Sequence, residues 1–313
     1  MAGNGECIFK KIAGLGSGEA KANEKIRIIH ELRQTYKLSD LLSIAGIARS
    51  TFYYQTKAMK RADKYADARE AIGFICQKHK GRYGYRRTTV ELRSQGWRLN
   101  HKTVRKLMKE MDLTCKVRTK RYKAFHGCVG SFSPNLLQRN FVAFRPNQKW
   151  VTDVTEFRLG SEKIFLSVIL DLFNDEVVAY NIGANPDFKL VTRNLEKAFS
   201  KTPDNTNLIL HSDQGWQYQM RSYDQMLRDK GIRRSMSRKG NCLDNAMAEN
   251  FFSVLKSELW STNTFQSVSQ FVSELECYID YYNHDRIKLR LRGLSPCSFR
   301  SRFSDIISAY FAV

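Results

Sequence analysis

At 313 residues the chain is long for one domain, and 42% hydrophobic with 12% aromatic content is enough for two or three packed cores, which argues against global disorder. No run approaches eighteen consecutive apolar residues, and the N-terminus lacks the apolar stretch and cleavage site of a signal peptide, so the expectation is a cytoplasmic protein with no membrane partner. The 52 Lys and Arg outnumber the 31 Asp and Glu, and the excess is uneven: residues 1–145 hold 31 basic against 11 acidic side chains, which leaves 21 against 20 for the rest. A basic half joined to a neutral half fits a polyanion-binding module attached to a separate activity.

The first 20 residues, rich in Gly and Ala, read as a disordered lead. Helical periodicity begins near Lys21, with Ile26, Ile29 and Leu32 on one face. In LSDLLSIAGIARSTFYYQ a short apolar helix meets Gly46, and a second helix opens at Ser50 or Thr51 as its N-cap. This is the pattern of a helix-turn-helix over 21–60, with Arg49, Ser50 and Thr51 as DNA contacts. A second such unit is expected over 61–115: one helix ends at Gly96, and Asn100 caps the next, which carries Lys102, Arg105 and Lys106. Just before it, GRYGYRR interleaves Arg82, Arg86 and Arg87 with Tyr83 and Tyr85, residue types suited to phosphate contact and to stacking. Residues 116–146 are basic and irregular, and read as a linker.

From 147 to 262 the character changes. QKWVTDVTEF, KIFLSVILDLF and EVVAYNIG are three strand-like runs, followed by the helical DFKLVTRNLEKAFS and a buried strand, NLILHSD. This order suits an α/β RNase-H-like core, a mixed sheet flanked by helices. A helical region, 263–313, completes the chain. In it, Tyr278, Tyr281 and Tyr282 precede the basic run Arg286 to Arg292, which reads either as packing or as a DNA-end-binding element. The seven cysteines form no CxxC pair and the six histidines no HxxxH, which argues against a disulfide framework and structural zinc.

Three acids stand out. Asp153 sits within an apolar strand, where an unpaired carboxylate is costly, so it is either paired or a metal ligand. Asp213 ends a strand at the sheet rim, and Glu249 lies on a helix, with Lys256 two turns beyond on nearly the same face and Asn245 one turn before. Converging carboxylates are what two-metal phosphodiester chemistry requires. Asp171, Asp244 and Glu156 are competing acids.

Residues about 80 to 300 resemble the OrfB transposases of the IS-three group of bacterial insertion sequences, within the retroviral-integrase superfamily. The stretches that carry the likeness are GRYGYRR, WVTDVTEF, LILHSDQGWQY, SRKGNCLDNAMAENFFSVLKSE and YIDYYNHDRIKLRLRGLSP, together with the 35 residues between Asp213 and Glu249. The resemblance implies a DDE DNA transposase with Asp153, Asp213 and Glu249 as catalytic metal ligands. It implies two Mg²⁺ ions per site (Mn²⁺ substituting), double-stranded DNA ends and target as substrates, and cleavage to a 3′-OH followed by strand transfer. It also implies a homo-oligomer on DNA and an upstream OrfA-type partner, since no heptad run is evident near the start. A DNA-binding regulator, an incomplete subunit needing that partner, and a junction-resolvase-like nuclease are the alternatives.

Overall fold

The computed structural model describes residues 19–59, 63–115, 133–202, 207–238 and 241–311. The expected lead up to residue 18 and the linker from 116 to 132 lie outside them. The chain divides into two compact units, Met1–Ala68 and Arg69–Val313. No helix among the described residues is long and apolar enough to cross a membrane.

In the first unit, α1 (Glu19–Leu32), α2 (Leu38–Ala45) and α3 (Arg49–Met59) close over Ile26, Ile29, Leu41, Leu42, Ala45 and Phe52. Gly46, at φ +65°, ends α2 in the left-handed conformation that a side chain would strain. Helix α3 starts earlier than its sequence suggests: Phe52 N–H already donates to Ala48 O, so Ser50 and Thr51 lie within the first turn and do not cap it.

The second unit opens with α4 (Ala66–Lys78), α5 (Tyr85–Ser94) and α6 (His101–Glu110). Asn100 caps α6, its side chain accepting from Lys102 N–H. Strands β1 (Lys149–Leu159), β2 (Glu162–Asp171) and β3 (Glu176–Gly183) form an antiparallel meander, followed by α7 (Phe188–Phe199) and β4 (Ile209–Ser212). Helix α8 (Arg221–Asp229) leads to β5 (Arg233–Met236), an edge strand of four residues; neither is evident in the sequence pattern. The sheet order is β3-β2-β1-β4-β5, with β4 parallel to β1 and β5 parallel to β4. Beyond it come α9 (Ala246–Leu255), a π-helical turn (Lys256–Trp260), α10 (Val268–His284) and α11 (Pro296–Phe311).

Period-two alternation sorts the strand side chains between two cores. Val151 and Phe157 of β1 and Ile164, Leu166, Val168 and Leu170 of β2 pack against Phe251, Leu255, Phe271 and Tyr278 from α9 and α10. Trp150 and Ile169 face the other way, onto Leu195 of α7 and Leu227 of α8. A mixed sheet covered by helices on both faces is the RNase-H-like architecture.

Residues 69–115 fall in the same compact unit as the sheet. The end of the expected linker, residues 133–146, is strapped to the core, with Leu137 buried and Leu136 N–H donating to Ser235 Oγ.

Candidate active site

Asp153 lies in the middle strand of the sheet, on the same side as Val151 and Phe157, and therefore faces α9. Asp213 follows the last residue of β4, the strand parallel to β1, and Glu249 sits in the first turn of α9. Three segments far apart in sequence thus deliver one acid each. Burial first, then the charge of Asp213 and that of Glu249, raise the Asp153 carboxyl well above its ordinary range, against the opposing pull of Lys256 and of Val154 N–H, which donates to Asp153 Oδ1 at 2.8 Å. Asp213 is likewise raised, chiefly by burial, although Gly215 N–H donates to its Oδ1 at 2.8 Å.

These acids fit a hard divalent cation in chemistry: all three offer oxygen donors, and all three are part-exposed and so open to a ligand. Among the described residues no three His, Cys, Asp or Glu side chains form a closed ligand cluster. Lys256 opens the π-helical turn directly after α9 and rests its ammonium 5.2 Å from the centre of the Phe157 ring, on the Asp153 side of the sheet.

The competing acids have other partners. Asp244 is fully buried and takes Arg238, Arg139 and Asn135; Arg238 above all holds its carboxyl well below the usual range. Asp171 accepts from Asn147 N–H and Phe173 N–H, and burial moves it up to about 6. Glu156 is exposed on the opposite face, beside Arg158 and Lys163.

The expected DNA contacts fare unevenly. Arg49, Ser50 and Thr51 are exposed on α3. Arg86, Lys102, Arg105 and Lys106 are exposed on α5 and α6, with the Arg86 and Arg105 guanidinium groups 5.5 and 5.6 Å from the centre of the Tyr85 ring. Asn245, by contrast, is buried: its amide donates to Thr152 O at 3.3 Å, tying the start of α9 to the strand of Asp153. Arg82 and Tyr83 are buried too. Arg82 lies 5.0 and 4.7 Å from the ring centres of Tyr278 and Tyr281, and Tyr83 hydroxyl accepts from Ile287 N–H and donates to Asp285 O. Arg87 is half-buried against Glu258. In the basic run after α10, Arg286 pairs with Glu258 and Lys288 and Arg290 with Asp175, the packing alternative, while Arg290 stays half exposed.

Sequence reasoning passed over Tyr218 and Gly215. Tyr218 is fully buried in the core that holds Trp150 and Leu227, on the other face of the sheet from Asp153, and burial above all pushes its phenol well above its ordinary range. Both residues stand in the quoted stretch LILHSDQGWQY, the only signal that pointed to them.

Comparison with known proteins gives the family. Residues 143–242 and 249–303 match models of an integrase core domain, and residues 64–121 match an HTH-like domain. The chain is 48% identical over 277 residues to the putative transposase InsK for insertion sequence element IS150 of Escherichia coli, covering 88% of this chain and 98% of that protein. It belongs to the IS-three group of insertion-sequence transposases. The transposase InsF for IS3A of Escherichia coli is 31% identical, covering 89% of this chain and 99% of that one. Among solved structures, the HTLV-2 integrase catalytic core in complex with magnesium is similar at 15% identity and a TM-score of 0.40, covering 51% of this chain and 99% of that one. The chain is thus an enzyme, a transposase with an integrase core, of the polynucleotidyl transferase class.

Proposed function

We propose that this transposase cuts and joins DNA at the centre formed by Asp153, Asp213 and Glu249, and that these acids hold two Mg²⁺ ions, with Mn²⁺ as a substitute. The observation that carries the reading is the delivery of one acid each by β1, by the end of its parallel neighbour β4 and by the first turn of α9, with Asp153 raised by the charges of Asp213 and Glu249 and lowered by Lys256. When bound, the ions would supply charge stabilisation to the attacking and leaving oxygens. The Lys256 ammonium would hold a phosphate against the acids, and Asn245 would fix α9 on β1, keeping Glu249 in register with Asp153. Hydrolysis at an element end exposes a 3′-OH. That hydroxyl then attacks a second phosphodiester in line, one P–O bond forming as another breaks, with no protein-bound intermediate.

Arg49, Ser50 and Thr51 of the first unit, and Tyr85, Arg86, Lys102, Arg105 and Lys106 of the second, are the residues offered to the duplex, in the cytoplasm of a bacterium. Bringing two ends together calls for a homo-oligomer, and an upstream OrfA-type protein would add end recognition.

The test is strand cleavage on labelled DNA carrying the element's terminal repeats in Mg²⁺ or Mn²⁺. Glu249→Gln should lose the products by on the order of a thousandfold while still binding the DNA. Equal cleavage by the variant would remove Glu249 from the centre. Tight binding without cleavage by either protein would favour a regulator, or a subunit that needs its upstream partner.

A further inference from the structure

Resting on that reading, we infer that Trp216 is a substrate-stacking residue, which receives a base unpaired from the DNA end next to the phosphate that is cut. Tryptophan is a large apolar side chain, and its exposure calls for a reason. Trp150 is fully buried in the core, yet Trp216 is 51% exposed, three residues after Asp213. It opens a short 3₁₀ turn (Trp216–Gln219) that is itself firmly seated. Tyr218 of this turn is buried edge-on against Tyr223, with ring centres 5.4 Å apart, and Gln219 is buried with its amide donating to Gln214 O. Gly215, the residue before it, is held to the Asp213 carboxylate. The turn is therefore a pedestal: Tyr218 anchors it in the core beside Tyr223 and Leu227, and Trp216, three residues from Asp213, presents its ring to solvent.

The segment that leads to Glu249 also carries an exposed apolar side chain. Leu243, in the 3₁₀ turn (Cys242–Asn245) that leads into α9 and Glu249, is 57% exposed. Both acid-bearing segments thus show large apolar side chains to solvent, Trp216 and Met220 in one and Leu243 in the other, while the Lys256 cation serves the phosphate. An apolar ring beside a phosphate-directed cation matches one ligand chemistry, a nucleotide whose base has left the duplex stack. Stacking on an aromatic ring is tolerant of base identity, because every base has a π-face. It would offset the unpairing needed to bring one strand down to the carboxylates.

The test compares wild type, Trp216→Ala and Trp216→Phe on terminal-repeat DNA in Mg²⁺, with ends either fully paired or mismatched next to the cut. Cleavage of paired ends at saturating protein should fall roughly 5- to 150-fold in Trp216→Ala, the worth of one base–aromatic stack. Trp216→Phe should keep most of the rate, and the mismatched end should restore most of what Trp216→Ala loses. A 2-aminopurine at the unpaired position, read in a Glu249→Gln background where no cutting occurs, should change its emission on binding only when Trp216 is present. Equal rates for wild type and Trp216→Ala on paired ends, or the same loss on paired and mismatched ends, would overturn the inference alone. A wild type that cuts neither substrate would overturn the reading beneath it as well.

Discussion

Gly215 donates its N–H to Asp213 Oδ1 at 2.8 Å, and a Cβ built on it would meet that same oxygen at 3.0 Å and Gln217 Nε2 at 3.0 Å. Its backbone is in a region open to any residue, so the demand for glycine is one of space and not of dihedral angle. Gly215→Ala should therefore push the carboxylate aside and lower single-turnover cleavage by roughly ten- to a hundredfold, with a stability change within about 1 kcal/mol. An unchanged rate would mean that Asp213 adapts freely.

His211, two residues before Asp213, is fully buried between Ser235 Oγ at 2.8 Å and Ser237 Oγ at 3.1 Å, and burial lowers its pKa to about 4. The unfolded chain takes up this proton first as pH falls, so the stability is complete above about 6.5 and declines toward pH 4, by at most about 1.4 kcal/mol per unit. Asp171, at about 6, acts in the opposite sense over much of the same interval, so only comparison with a variant isolates the imidazole. Chemical denaturation of His211→Gln at pH 7 and pH 5 should show a smaller acid loss than wild type; an identical loss would place the titration elsewhere. At this scale the pattern offered the three acids only among competitors such as Asp171 and Asp244, and the family resemblance, with its 35-residue spacing, singled them out. Gly215 and Tyr218 were not legible, because their role depends on atoms only folding brings near.

Among the elements, the π-helical turn after α9 carries the densest charge cluster. Glu258 accepts from Arg286 Nε at 2.8 Å and Nη2 at 2.6 Å, from Tyr278 hydroxyl at 3.0 Å and from Arg87 at 3.4 Å. With Arg82 against Tyr278 and Tyr281, and Tyr83 on the backbone beyond α10, it latches α4 and α5 to the helices behind the acids. Glu258→Gln leaves the Arg286 side chain, 3% exposed, without its main counter-charge, and should cost about 3–5 kcal/mol in urea denaturation. A cost below about 1 kcal/mol would mean that the latch contributes little.

GRYGYRR illustrates why such a latch escapes a sequence reading. Cations alternating with tyrosines serve phosphate contact and internal cation–π packing equally well, and the deciding partners lie about 200 residues downstream. The long periodic strands and helices were legible from their alternation. Strand β5 was not, since four residues at a sheet edge give too short a pattern, and α8 lay beside it in the same unassigned stretch.

For the molecule as a whole, the charge asymmetry and the order of elements were the informative quantities. Nearly all the net charge of +21 lies in residues 1–145, and the described part of that region leaves Arg49, Arg86, Lys102, Arg105 and Lys106 exposed, while Arg82 and Arg87 are spent on packing. The nearly neutral remainder builds a sheet whose middle strand and its parallel neighbour supply two of the three acids, with the helix covering them supplying the third. The helices expected over 61–115 do form a pair, residues 64–121 match an HTH-like domain, and Arg82 and Tyr83 ahead of the pair pack on α10 and the segment after it. The central claim is that these acids act together as one ion-holding, DNA-cutting centre, and its most direct test is Mn²⁺ binding to the DNA-bound protein, followed by electron paramagnetic resonance. Wild type should take up two ions per chain, and Asp153→Asn, Asp213→Asn and Glu249→Gln should each lose ion binding along with cleavage. Ion uptake by all three variants equal to that of wild type would contradict the assignment.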